Sequence, residues 1–165
     1  MVAIRLWREA TDLTRLVEVS QAADRMFADA GLTLPLDDPT DELRAAEHVL
    51  VAGTPIVGFA VLTTVDGNAH LASLGVHPDH GRRGIGSRLL AAACALAADD
   101  GRPAITLTTF VDLPWNAPFY AARGFAVLPQ EKWGPGMRNV WAAEEAAGTV
   151  VAPRTAMIRS LAELW

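Results

Sequence analysis

The chain is expected to fold as a mixed α/β domain around one sheet, and three observations predict it. Short β-branched strands crowd the first half of the sequence. Strand-helix units fill the second half, where apolar spacing alternates between periods of two and 3.6. The length of 165 residues suits a single domain over 1–165, because two compact domains would each be unusually small. A chain of this size buries roughly 70% of its unfolded surface, enough for a core without covalent staples.

The predicted order is β-α-α-β-β-β-α-β-α-β-α-β. Residues 3–9 alternate apolar and polar side chains and read as a strand. Thr11 and Asp12 offer capping groups to a helix in which Leu13, Leu16, Val17, Ala23, Met26 and Phe27 recur at helical spacing up to Gly31. A loop of prolines and aspartates over 32–39 precedes a short helix over 40–46, with Thr40 as its N-cap. Residues 48–52 and 56–65 form a hairpin about Gly53-Thr54-Pro55, and Asp66-Gly67-Asn68 turns into a strand over 69–76. Residues 85–98 are almost wholly helix formers; Gly101-Arg102-Pro103 stops them, and 104–110 is a strand of alternating branched residues. A short helix over 114–123 closed by Gly124, a strand over 125–128, a helix over 137–147 and a strand over 154–161 complete the pattern.

Composition excludes several classes. A net charge of −5 and a pI near 5.3 argue against a nucleic-acid partner, which calls for a basic face. No apolar run approaches the ~20 residues that cross a bilayer, so no membrane partner is expected. The charged, alternating start reads as a strand and not as a secretory signal. Cys94 is the only cysteine, which excludes an internal disulfide and a multi-cysteine metal site; no histidine-carboxylate spacing suggests a metal either. A cytoplasmic protein is the expectation.

The strongest local signal is Val76-His77-Pro78-Asp79-His80-Gly81-Arg82-Arg83-Gly84-Ile85-Gly86-Ser87-Arg88. A strand ends, a glycine-rich loop follows and a long helix begins. Helix-start N–H groups carry partial positive charge, and glycine lets a ligand approach the main chain, so the segment suits a phosphate or diphosphate. Arg82, Arg83 and Arg88 add cationic donors. The P-loop pattern requires a lysine after the last glycine, and the dinucleotide pattern requires the opposite glycine spacing, so neither fits. On the residues alone, a structural strand-to-helix turn with solvated arginines remains the alternative.

A second segment, Asp112-Leu113-Pro114-Trp115-Asn116-Ala117-Pro118-Phe119-Tyr120-Ala121-Ala122-Arg123-Gly124-Phe125, follows the next strand. Its prolines constrain a helix start, Asn116 is placed to cap it, and Phe119 is expected in the core with Tyr120 on another face. A sheet-packed tyrosine and a purely capping asparagine are the structural alternatives.

These two segments, in this order, resemble the GCN5-related N-acetyltransferase superfamily. The first carries Val-x-Pro and Gly-x-Gly at Val76-His77-Pro78 and Gly84-Ile85-Gly86; the second carries Asn-x-Pro-Phe-Tyr leading into Gly-Phe. One departure is visible: Gly81 stands where the superfamily usually has glutamine or arginine, with arginine displaced to Arg82. The resemblance implies a twisted, mostly antiparallel sheet with splayed middle strands flanked by helices. It implies acetyl-coenzyme A as acyl donor, with its diphosphate on Arg82, Arg83, Gly84, Ile85, Gly86 and Ser87. It places the acetyl carbonyl on the main chain of Leu74 and Val76, the pantetheine arm on Asn116, and Tyr120 as the acid that protonates the departing thiolate. Homodimers, common in the superfamily, are an implied assembly.

The proton acceptor is not evident. Many members of the superfamily carry a glutamate on the strand before the glycine loop, whereas this strand reads His70-Leu71-Ala72-Ser73-Leu74-Gly75. His70 is expected as a solvated residue beside the Asn68 turn, and Asp24, Glu47 or a water relay remain open as bases. Met26, Phe27, Leu34 and Trp133 read as core more than as pocket walls, and Cys94 as buried. The expected function is acetyl transfer to the primary amine of a small molecule by direct attack in a ternary complex. The alternatives are a coenzyme A-binding regulator without chemistry, or transfer of a different acyl group.

Overall fold

A computed structural model describes residues 2–164 of the chain. Strands β1 (Ile4–Leu6), β2 (His48–Ala52), β3 (Gly58–Val65), β4 (Asn68–Val76), β5 (Ala104–Phe110), β6 (Ala126–Val127) and β7 (Arg154–Ser160) are joined with helices α1 (Glu9–Asp29), α2 (Thr40–Ala45), α3 (Ile85–Asp99), α4 (Ala117–Ala121) and α5 (Pro135–Ala146). The strand order β1-β2-β3-β4-β5-β7-β6 makes one open, mixed sheet. Pairing is antiparallel at β1–β2, β2–β3, β5–β7 and β6–β7, and parallel at β4–β5, where α3 supplies the crossover that parallel strands require. The β4–β5 ladder consists of Ala69↔Ile105 and His70↔Thr106.

Contacts gather into two compact units, Met1–Thr63 with Leu71–Leu96, and Thr64–His70 with Ala97–Trp165. In the first, Leu16 and Val19 of α1 and Leu43 of α2 meet Val49, Val51, Ile56, Phe59 and Val61, with Trp7 and Leu13 against them. Leu16, Val19 and Ala22 are spaced to share one helix face, so α1 buries a stripe and leaves its polar side to solvent. The helix starts earlier than its capping signal. Asp12 lies inside it and Arg8 is the N-cap, because the Asp12 carboxylate is drawn to Arg5 by two hydrogen bonds of 2.8 and 3.1 Å and accepts the Arg8 N–H at 2.7 Å. The Arg5 guanidinium holds the Asp12 carboxyl below the usual carboxylate range. Thr40 likewise is the first residue of α2 rather than its cap, with Pro39 at the cap position and the Thr40 hydroxyl donating to Asp38 at 2.6 Å.

Gly75, on β4, admits no side chain. A Cβ there would stand 2.7 Å from Cε1 of Phe59, a core ring, and 3.2 Å from Ala23. Gly75→Ala should therefore destabilise the fold by about 1–3 kcal/mol, the usual result of overpacking. Chemical denaturation should read this as a lower midpoint at unchanged slope.

In the second unit, β5 and β7 pair along their length from Ala104↔Ser160 to Phe110↔Arg154, and Met137 of α5 packs with Val65 and Ala156. The start of α5 is supplied from far away in sequence. Asp66, in the β3–β4 turn, accepts the Gly136 N–H at 2.7 Å and the Met137 N–H at 2.9 Å. Glycine on the helix side leaves room for this contact, since a Cβ at Gly134 or Gly136 would come within 2.6 or 2.7 Å of the Asp66 carboxylate and displace it. Asp66→Ala should cost about 1–2 kcal/mol, as loss of a capping carboxylate does, and lower the thermal midpoint.

Candidate active site

The glycine-rich segment lies in the first unit. β4 ends at Val76, the His77 N–H donates to the Val57 carbonyl at 2.7 Å, and the chain makes a short turn over Pro78–His80. The His77 ring nitrogen Nδ1 accepts the Asp79 N–H at 3.2 Å, which pins that turn. Helix α3 begins at Ile85, and the Arg88 N–H donates to the Gly84 carbonyl at 3.1 Å. The N–H groups of Ile85 and Gly86 precede that bond, in the first turn, where helix geometry provides no intrahelical acceptor. Gly84 takes φ +76°, and no atom lies within 4 Å of the place a Cβ would occupy. The loop thus presents main-chain donors with open space beside them, the arrangement an anion requires.

The surrounding cations are distributed unevenly. Arg82 and Arg83 are exposed; Arg82 itself takes φ 61°, and an Arg83 guanidinium nitrogen lies 3.5 Å from Nδ1 of His80. Arg88, expected to add charge for phosphates, donates instead to the Val2 carbonyl at 2.6 Å. Ser87 stands in the first turn of α3, and Leu74 and Val76 are half-buried on β4.

Asn116 and Tyr120 belong to the second unit. Asn116 is the N-cap residue of α4 by position, but its side chain caps nothing. Its Oδ1 accepts the Thr109 hydroxyl at 2.6 Å, and among the described residues its buried Nδ2 has no hydrogen-bond partner. A buried donor left open is expensive unless a ligand meets it, and an amide carbonyl such as those of pantetheine fits. Tyr120, and not Phe119, is the buried aromatic of α4. Its ring packs edge-on to Phe119 and Phe125 at centroid distances of 5.2 and 5.6 Å, while the Arg123 guanidinium stacks on Phe119 at 3.8 Å. Burial pushes the Tyr120 phenol well above its ordinary pKa, so it holds its proton at every physiological pH.

The candidate bases also change standing. His70 is 4% exposed rather than solvated, shares a 2.8 Å hydrogen bond with Thr106, and is pulled down by burial to a pKa of about 4. Such an imidazole is too weak a base to hold a proton taken from an ammonium. Glu47 is exposed. Asp24 is half-buried on α1, its pKa raised to about 6 by burial and by the charge of Asp37. Glu42, which sequence reading did not single out, is half-buried on α2 and accepts the Ser73 hydroxyl of β4 at 3.2 and 3.5 Å. Burial, with Asp37 and Asp24 nearby, raises its pKa against the opposing Ser73 bond. Within the short run Thr40-Asp41-Glu42-Leu43, no pattern separates this carboxylate from its solvated neighbour. Among the described residues no group of three His, Cys, Asp or Glu side chains converges as a metal site, and no helix is long and apolar enough to cross a membrane.

Known structures share this fold. The chain is similar to N-acetylglutamate synthase from Neisseria gonorrhoeae complexed with coenzyme A and N-acetyl-glutamate, at 18% identity and TM-score 0.70, covering 98% of this chain and 35% of that one. The chain therefore spans about a third of that protein's length. It is similar to the PaiA N-acetyltransferase from Thermoplasma acidophilum in complex with coenzyme A, at 17% identity and TM-score 0.66, over 97% of this chain and 99% of that one. It is similar also to the ribosomal-protein-S18-alanine N-acetyltransferase from Escherichia coli, at 18% identity and TM-score 0.71, over 98% and 94%. Residues 7–125 match the model of one family, a span that contains the glycine loop, Asn116 and Tyr120. The chain belongs to the acetyltransferase (GNAT) family.

Proposed function

We propose that this protein transfers the acetyl group of acetyl-coenzyme A to the primary amine of a small molecule, by direct attack in a ternary complex. The observation that carries the reading is the open main-chain cradle at Gly84, set at the start of a 15-residue helix. Membership of the family and the coenzyme A in the complexes of the similar structures support it.

Each residue has a part in this reading. The N–H groups of Gly84, Ile85, Gly86 and Ser87, with the side chains of Arg82 and Arg83, bind the diphosphate. Main-chain groups of Leu74 and Val76 hold the acetyl carbonyl and polarise it as negative charge grows on its oxygen. The open Nδ2 of Asn116 donates to the pantetheine arm. Tyr120 holds a proton for the sulfur as the carbon-sulfur bond breaks. The acceptor is a small amine rather than a nucleic acid or membrane component, and a cytoplasmic site of action goes with a soluble acyl donor; a homodimer is its assembly.

The test is thiol release from acetyl-coenzyme A across chemically diverse primary amines, with calorimetry of coenzyme A alone. Binding together with amine-dependent release supports the reading. Absence of binding overturns it, and binding without release from any amine turns the protein into a coenzyme A-responsive regulator.

A further inference from the structure

The strand that carries Leu74 and Val76 offers no carboxylate, yet one is fastened to it. Glu42 of α2 accepts the hydroxyl of Ser73, the residue next to Leu74, at 3.2 Å through Oε1 and 3.5 Å through Oε2. Its surroundings are unfavourable to charge. The groups facing it are Asp24 from α1, Asp37 from the preceding loop and the neutral Ser73 from β4. Among the described residues no lysine, arginine or histidine pairs with Glu42, and Arg44, on the same helix, is bound to Glu9 at 3.1 Å. A half-buried carboxylate with no cation is costly, and a structural role would be served better by an amide.

We propose that Glu42, oriented by Ser73, is the residue that takes the proton from the acceptor's ammonium. This rests on the amine reading above. The ammonium gives one N–H proton to a Glu42 oxygen, so that a neutral amine and a carboxylic acid result. The freed lone pair forms the bond to the acetyl carbon, and the carbon-sulfur bond breaks with its electron pair going to sulfur. Tyr120 gives its proton to that sulfur, the nitrogen's second proton passes to water as the amide forms, and Tyr120 regains one proton from water, so the two balance. Glu42 returns its proton to solvent when the products depart. The raised pKa of Glu42 brings it closer to that of an amine and makes it a stronger base than an exposed glutamate. Asp24 and Asp37, which face the same carboxylate, favour an acceptor that arrives with positive charge.

The test uses two acceptors, butylamine, which is protonated near neutrality, and trifluoroethylamine, which is largely not. In E42Q, kcat/KM for butylamine should fall about 100-fold or more, the ordinary contribution of a general base, while that for trifluoroethylamine changes little. The wild-type rise of kcat/KM with pH through a carboxylate ionisation should vanish in E42Q. Ser73→Ala, which keeps the base and removes its hydrogen bond, should lose about tenfold on butylamine only. Stability gives a readout independent of turnover. A carboxyl whose folded pKa is raised destabilises the fold as pH climbs through that pKa, so E42Q should melt higher than wild type at neutral pH and match it in acid. Equal losses on both amines, or no loss on butylamine, overturn the assignment. A wild type that binds coenzyme A but releases thiol with no primary amine of a diverse panel, these two included, overturns the amine reading, and this proton transfer with it.

Discussion

Gly84→Glu should reduce coenzyme A affinity by at least about 100-fold while the chain still folds. Two effects add. The backbone at this position takes φ +76°, which a side-chain-bearing residue adopts at a cost of roughly 1–2 kcal/mol. Binding depends on that loop shape, so a relaxed loop presents its N–H groups in the wrong directions. The new carboxylate also stands in the open space beside the helix start and repels a phosphate where the native loop attracts one. Together they exceed the ~2.7 kcal/mol that corresponds to a hundredfold change. Gly84→Ala separates the terms, since nothing lies within 4 Å of the added carbon and no charge is introduced; its loss should be about 5- to 30-fold, the equivalent of the backbone cost alone. Calorimetric titration reads both variants, and an affinity unchanged in Gly84→Glu would remove the diphosphate from this loop.

Tyr120→Phe should lower turnover by about 100- to 1,000-fold, the range for removing one donor aimed at developing charge. Coenzyme A affinity should stay within experimental scatter, because the phenol acts only as sulfur gains charge. The substitution conserves volume, and the edge-on contacts with Phe119 and Phe125 need only the ring, so the melting temperature should change little. Burial keeps the phenol protonated, so the wild-type rate should show no alkaline decline attributable to Tyr120. Steady-state kinetics with any accepted amine measures the effect, and full activity in Tyr120→Phe removes this hydroxyl from the chemistry.

The parts of the fold that sequence made legible are those decided by local propensity. The branched residues of 104–110 and the alanine-leucine run that becomes Ile85–Asp99 each have one local solution, and Gly101-Arg102-Pro103 separates them. Where a distant partner competes for a side chain, local reasoning misleads. Asp12 reads as a cap until Arg5 claims it, and Arg88 reads as a phosphate ligand until the Val2 carbonyl takes its guanidinium. Asn116 has the spacing of a cap, but the Thr109 hydroxyl turns its amide away from the helix. His70 follows a turn and so reads as solvated; its place beside Thr106 in the β4–β5 ladder buries it instead.

The candidate site divides in the same way. The glycine loop and the Asn-x-Pro-Phe-Tyr segment are contiguous, so their chemistry is written in adjacent letters. Glu42 and Ser73 lie 31 residues apart, and neither carries a signal until the chain is folded. Charge pattern alone assigns Glu42 to water; its hydrogen bond to β4 is a tertiary fact.

The bond between the β3–β4 turn and α5 has a consequence for biosynthesis. Asp66 waits for Gly136, 70 residues later, to become the helix's first acceptor. On the ribosome, the turn emerges long before its client, and the Asp66 carboxylate has no helix to hold until Gly136 and Met137 have been made. A nascent chain arrested ahead of Pro135 should therefore expose the Thr64–His70 segment to proteases, and release of a longer chain should protect it.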